Sequence, residues 1–203
     1  STTVTVVVEI TDDVPVAKPD SAMVDNGSNT ATGNALGNDT LGADRDTLVT
    51  SAKGPNDSTP VTVDPDTGKI TVTGQYGTLT LNSNGTYTYN LSAQGISESQ
   101  KLGEGETSTD VFMVKVTSGL KSVVTPLTIT IVGSNDAPTV QPSQLSVSED
   151  DVAAMYGQLV MADPDRSDTP RAVPQTTEGQ YGTFFLNPNG SYTYVLNKDS
   201  AVV

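Results

Sequence analysis

The sequence predicts an all-β fold assembled from tandem antiparallel β-sandwich modules. Three observations predict it. The run GQYGTLTLNSNGTYTYNL, starting at Gly74, returns as GQYGTFFLNPNGSYTYVL from Gly179, with thirteen of eighteen positions identical. Within each copy, apolar and polar residues alternate with a period of two on both sides of an Asn-Gly turn, which is the pattern of a hairpin with one buried face. Short β-branched segments bounded by Gly, Asn, Asp and Pro recur along the chain, and no segment carries a helical period.

The strand candidates, in order, are VTVVVEI (4–10), KITVT (69–73), the repeated hairpin, DVFMVKV (110–116) and SVVTPLTITIV (122–132). In the hairpin, Ser83-Asn84-Gly85 suits a three-residue loop with glycine in the left-handed conformation, and Pro188-Asn189-Gly190 suits it again. Such a loop pairs Leu81 with Tyr87 and Leu79 with Tyr89, all facing a core. The inward set of the second copy is Phe184, Leu186, Tyr192, Tyr194 and Leu196. The repeated residues therefore read as packing residues and not as a duplicated active site. On the outward face Phe185 and Val195 replace Thr80 and Asn90. They are diagonal neighbours, either a contact for an adjoining module or two scattered apolar surface residues.

A second echo places the module boundaries. EITDDVP ends at Pro15 and IVGSNDAP at Pro138, each after a strand candidate, so Asp13 corresponds to Asp136 and Pro15 to Pro138. Residues 1–15 read as the last strand and linker of a preceding module, residues 16–138 as a complete module, and residues 139–203 as a further module that stops before its final strands. This is the expected outline of a piece cut from a longer array. The same outline also suits a strand-exchanged polymer, in which residues 1–11 of one chain complete the last module of another.

Composition narrows the chemistry. Twenty-four acids against ten bases give a net charge of −14. That excludes a nucleic-acid partner, which needs a basic surface, and disfavours an anionic membrane. No apolar run is long enough for direct membrane insertion as a helix. Cysteine, histidine and tryptophan are absent, which removes disulfides, thiolate and imidazole metal sites and every histidine-based triad. With 34% hydrophobic residues and this much charge, bound cations are the expected supplement to the core.

The acidic clusters indicate where those cations would sit. Asp12-Asp13 and Asn135-Asp136 lie in the two linkers. Asp44-x-Asp46 follows the first linker, and Asp163-x-Asp165-x-x-Asp168 follows the second. In a sandwich the first strand leaves the linker and the second returns, so Asp163 and Asp165 are expected beside Asn135 and Asp136. Asp110, Glu106 and Asp25 are expected at the C-terminal pole of the middle module, by that same linker. Ca²⁺ takes roughly six to eight oxygens, and this convergence offers carboxylates for it. Asp64-Pro65-Asp66-Thr67-Gly68 reads instead as a plain turn. Glu149-Asp150-Asp151 is expected to face a following junction.

Three blocks in order carry a family resemblance: G-x-YGTLTLN-x-NGTYTY, KLGEGETSTDVF and TITIVGSNDAP. Together they resemble the VCBS repeat of giant bacterial surface adhesins of the RTX type, over most of Val24 to Pro138 and again from Val147 to Leu196. The resemblance implies β-sandwich modules related to cadherin-like and Ig-like domains, strung in arrays on an extracellular bacterial surface or biofilm protein. It implies neighbouring modules of the same chain as partners, and a host or matrix ligand for the parent adhesin. The SNDAP linker and the later Asp-x-Asp are similar to cadherin inter-domain calcium motifs. Where the family has an Asp-Gly turn after its penultimate strand, this chain has Ser118-Gly119, so any ligand role for that aspartate is absent here.

Three function classes follow. The first is a calcium-stiffened extender of a surface adhesin. The second is a carbohydrate- or protein-binding module, with Tyr76, Tyr156 and Tyr181 as its aromatic candidates. The third is an enzyme, for which only a carboxylate pair such as Glu104 with Glu106 is available. The extender is the expected one, with no catalytic residues.

Overall fold

The computed structural model describes residues 3–9, 12–24, 27–42, 46–148 and 154–197. The chain forms two compact units, Ser1–Ser134 and Asn135–Val203.

The first unit contains β1 (Asp20–Val24), β2 (Thr30–Asn34), β3 (Leu48–Lys53), β4 (Val61–Thr62), β5 (Lys69–Thr73), β6 (Gly77–Asn82), β7 (Thr86–Leu91), the helix α1 (Ala93–Ser99), β8 (Thr107–Ser118) and β9 (Lys121–Val132). One sheet has the order β1-β9-β8-β3-β4 and the other β2-β7-β6-β5. All pairings are antiparallel except β1 with β9. Alternation along β6 and β7 puts Leu79, Leu81, Tyr87 and Tyr89 inward. They meet Val114, Phe112, Leu127 and Ile129 from the other sheet in one apolar cluster. Each such side chain taken out of water contributes about 1.5–3 kcal/mol. Pro126 can sit inside β9 because the β1 pairing starts only at Leu127.

The hairpin has the expected register, Leu79 opposite Tyr89 and Leu81 opposite Tyr87. Gly85 takes the left-handed conformation, φ 87°, as the three-residue loop requires. The Asn84 carboxamide oxygen accepts from the Thr86 backbone N–H and hydroxyl. Asp64 likewise caps its own turn, accepting from the N–H groups of Asp66 and Thr67.

The second unit contains β10 (Thr139–Val140), β11 (Met155–Gln158), β12 (Met161–Ala162), β13 (Gln175–Glu178), β14 (Gly182–Leu186) and β15 (Ser191–Leu196). It has a four-stranded sheet, β11-β15-β14-β13, and a two-stranded one, β10-β12. The hairpin β14–β15 repeats the first in detail. Phe184 faces Tyr194, Leu186 faces Tyr192, Gly190 has φ 82°, and Asn189 caps Ser191 as Asn84 caps Thr86. The Thr-to-Ser change between the copies keeps the hydroxyl that the turn uses.

Two expectations need correction. Residues 3–9 form no strand, and Val4, Val6, Val7 and Val8 are exposed. Their β-branched pattern is real, but a strand is defined by a partner ladder, and no described residue pairs with them. The helix α1 departs from the expectation of no helix, because seven residues with little apolar content show no period. The local signal was Ser92, whose hydroxyl accepts from the Gly95 N–H as an N-cap and donates to the Tyr76 carbonyl.

Candidate metal centre

The pairing of β10 with β12 aligns Thr139 with Ala162 and Val140 with Met161. The residues just before β10 and just after β12 therefore lie side by side. Those residues are Asn135-Asp136 and the Asp163-Pro164-Asp165 run, whose proline and following polar residues stop the strand.

The contacts that result are specific. The Asp136 backbone N–H donates to Asp165 Oδ2 at 2.8 Å. Asp163 Oδ1 accepts from the Asp165 N–H at 3.0 Å, and the Asp165 carbonyl accepts from the Asp168 N–H at 3.1 Å. This tight turn gathers the three side chains, so that one carboxylate oxygen from each of Asp163, Asp165 and Asp168 lies within 4.8 Å of the others. The Asn135 side chain donates to the Asp136 carbonyl.

Asp165 is the unusual member. It is 1% exposed, and its Oδ1 is buried with no hydrogen-bond partner. Buried polar atoms are normally paired, and a carboxylate oxygen is the costliest kind to leave alone. Asp163 is partly buried and Asp168 is exposed, so the cluster opens toward solvent on one side. An oxygen-only set of this kind suits a hard divalent cation, Ca²⁺ or Mg²⁺, over zinc or copper.

The other expected ligands sit in the first unit. Asp12 and Asp13 are exposed. Asp12 Oδ2 accepts from the Leu120 N–H at 3.4 Å, and the Asp13 carboxylate lies over Gly42, whose φ is 79°. Asp46 is exposed in the turn before β3. Asp44 and Asp25 lie outside the described residues, as do Glu149, Asp150 and Asp151. Glu106 Oε2 accepts from the Gly103 N–H, and its backbone carbonyl accepts from the Gly133 N–H, next to the end of β9.

Asp110 belongs to the fold and not to an exposed cluster, which corrects its expected place among the ligands. It is 1% exposed. Its Oδ1 accepts from the Gln75 N–H at 2.7 Å, and its Oδ2 accepts from the Tyr76 N–H at 3.1 Å and the Tyr89 hydroxyl at 2.6 Å. Three donors on one buried carboxylate join β8 in one sheet to the hairpin of the other. Gly74 leaves the space, since a Cβ there would collide with the Asp110 carboxylate. Burial raises the Tyr89 hydroxyl pKa above its ordinary value, and the hydrogen bond to Asp110 adds to the effect.

Ser118, which stands where the resembling family has an aspartate, is also structural. It is fully buried, accepts from the Thr47 hydroxyl and donates to the Leu41 carbonyl. Among the described residues no helix is long and apolar enough to cross a membrane.

No curated protein matches the chain. Residues 135–202 match the family model described as bacterial Ig domain, a family of non-catalytic domains common in surface proteins. With the strand-rich sheets of both units, this match supports an Ig-like bacterial domain in the second unit, and the fold class of the chain is all-β and Ig-like.

Proposed function

We propose that the chain is a calcium-stiffened extender segment of a large secreted bacterial surface adhesin of the VCBS-repeat kind, serving adhesion or biofilm formation. The observation that carries the calcium reading is Asp165, a buried carboxylate with one oxygen bonded to the Asp136 N–H and the other unpartnered among two further aspartates. Three carboxylates this close repel one another, and a bound cation would offset that repulsion. When present, Ca²⁺ would be held by Asp163, Asp165 and Asp168. The Asp136 N–H then keeps the entering chain against that cluster and fixes the direction in which it enters the second unit. The extender role is supported by the Ig-like fold, the repeated packing hairpin and the strongly acidic, cysteine-free composition.

The test is calorimetry with and without chelator. An extracellular-type site binds Ca²⁺ with Kd of roughly 0.1–1 mM. At one hundred times Kd the ion stabilises the folded unit by about 2.7 kcal/mol. EDTA should lower the melting temperature of the second unit by more than ten degrees and leave the first unit's transition less affected. Asp165→Ala and Asp163→Ala should abolish the calcium response, and small-angle scattering should show a smaller maximum dimension on chelation. A melting profile indifferent to both EDTA and millimolar Ca²⁺ would sink the proposal.

A further inference from the structure

The outward face of the second unit's sheet differs from that of the first, although the hairpins match. Side chains alternate across a strand, so the residues between the packing positions share the solvent face. In the first unit one row of that face reads Thr32, Thr88, Thr80, Thr71 across β2, β7, β6 and β5. In the second unit the same row reads Tyr156, Thr193, Phe185, Thr176 across β11, β15, β14 and β13. Aromatic rings thus replace Thr32 and Thr80, and Val195 stands beside them where the first unit has Asn90. Tyr156 is 76% exposed, Phe185 40% and Val195 39%. The face is open in the first unit too, where a five-stranded second sheet covers the other side: Thr32 and Thr71 are exposed. Its openness therefore belongs to the outside of the sandwich.

Spacing and size decide what such a patch takes. Neighbouring strands lie about 4.8 Å apart, so Tyr156 and Phe185 stand roughly 9–10 Å apart with Thr193 between them. An aromatic face packs against the C–H face of a pyranose ring, and a threonine hydroxyl bonds sugar hydroxyls. Aromatic and hydroxyl residues alternating along one row therefore suit an extended chain of such rings. We propose that this face binds an extended neutral polysaccharide of β-linked pyranose rings. Tyr156 and Phe185 stack on two of its sugars, and Thr193 and Thr176 bond their hydroxyls. A protein partner needs more surface. The three exposed side chains present roughly 300 Å², against roughly 800 Å² per partner in a specific interface. A second copy also brings a further net charge of −14, and an anionic membrane is repelled likewise, whereas an uncharged glycan is not. The first unit, with threonines at the ring positions, lacks the platform. None of these residues belongs to the calcium site.

Two assays of the full chain in millimolar Ca²⁺ test this: depletion from solution by insoluble cellulose or chitin, and retardation in native gels containing hydroxyethylcellulose. Binding to at least one of the three is expected. Tyr156→Thr and Phe185→Thr install the first unit's residues at exposed positions, so both variants should keep the native melting temperature. Each should weaken binding about tenfold, and the double variant should not bind. Thr32→Tyr with Thr80→Phe builds the same platform on the first unit and should return binding to the double variant. No binding to any of the three polysaccharides overturns the proposal, and so does a double variant that binds them like the native chain. Light scattering and flotation with phosphatidylcholine vesicles cover the other occupants. A dimer, or vesicle binding, that the double variant loses shows that the rings serve that partner and also overturns the proposal.

Discussion

In the first unit the hairpin buries Leu79, Leu81 and Tyr89 completely and leaves Tyr87 at 5% exposure; in the second, the same register leaves Phe184, Leu186 and Tyr194 only partly buried. Turn geometry does not account for the difference. Gly85 and Gly190 have φ of 87° and 82°, and the asparagine before each glycine accepts from the hydroxyl of the residue after it at 2.7 Å. Nor does alternation, which is common to both copies. The difference is the facing sheet. In the first unit β8 and β9 supply Phe112, Leu127 and Ile129, and Phe112 meets Tyr89 edge-on with ring centroids 6.0 Å apart. In the second unit Tyr192 packs instead on Phe184 of its own sheet, with centroids 5.4 Å apart. A hairpin with one apolar face is half of a core, and what lies opposite decides its stability.

The largest test of this comparison removes the link between the sheets. Asp110→Ala strips three donors of their acceptor, of which the Tyr89 hydroxyl is buried and the Gln75 and Tyr76 N–H groups are part-buried, and a buried unsatisfied group costs about 1–3 kcal/mol. The first unit should lose about 2–3 kcal/mol, read as a shift of its urea midpoint, while the second unit's transition stays in place. Equal loss in both units would break the comparison.

A matched pair sharpens it. Leu81→Ala should cost about 2–5 kcal/mol, the range for a fully buried leucine. Leu186→Ala, at the same hairpin position but half-buried, should cost less than half of that in chemical denaturation. If the two costs agree, burial by the opposite sheet is not what separates the copies.

The smallest effect concerns pH. Asp20 sits where the second unit has Ser143. Burial, followed by the charge of Asp39, raises its pKa from 3.8 to about 6, and its Oδ2 has no partner. The folded value lies above the unfolded one, so the favourable contribution is full below pH 3.8 and is lost as pH rises through about 6. The first unit should therefore gain stability from this group between pH 8 and pH 5. Asp20→Asn should raise its melting temperature at pH 8 by a few degrees and flatten that slope, with no change in the second unit. Asp20 is only partly buried, so solvent screens the effect and the change is modest.

Much of this was legible in the residues. Alternation in TLTLN and TYTY, with Asn-Gly between, dictates a hairpin, its register and its inward face, because side chains of a strand alternate and glycine alone takes the turn conformation without strain. The convergence of Asp136 with Asp163 and Asp165 followed from the return of one strand beside another. The place of Asp110 is not legible, because a carboxylate at a strand end looks the same whether it faces solvent or is itself buried against three donors. The seven-residue α1 is too short to show a period. The valines of residues 3–9 read as a strand, yet they pair with nothing described.

The sequence by itself thus determined local conformation: which segments extend, where they turn and which side faces inward, since these depend on sterics and polarity within a few residues. Only the tertiary structure decided which inward faces are covered, which aspartate is sealed in the core and which keeps a buried oxygen without a partner. Burial and hydrogen bonding at those positions depend on residues far away in the chain, such as Gln75, Tyr76 and Tyr89 around Asp110, and Asp136 beside Asp165.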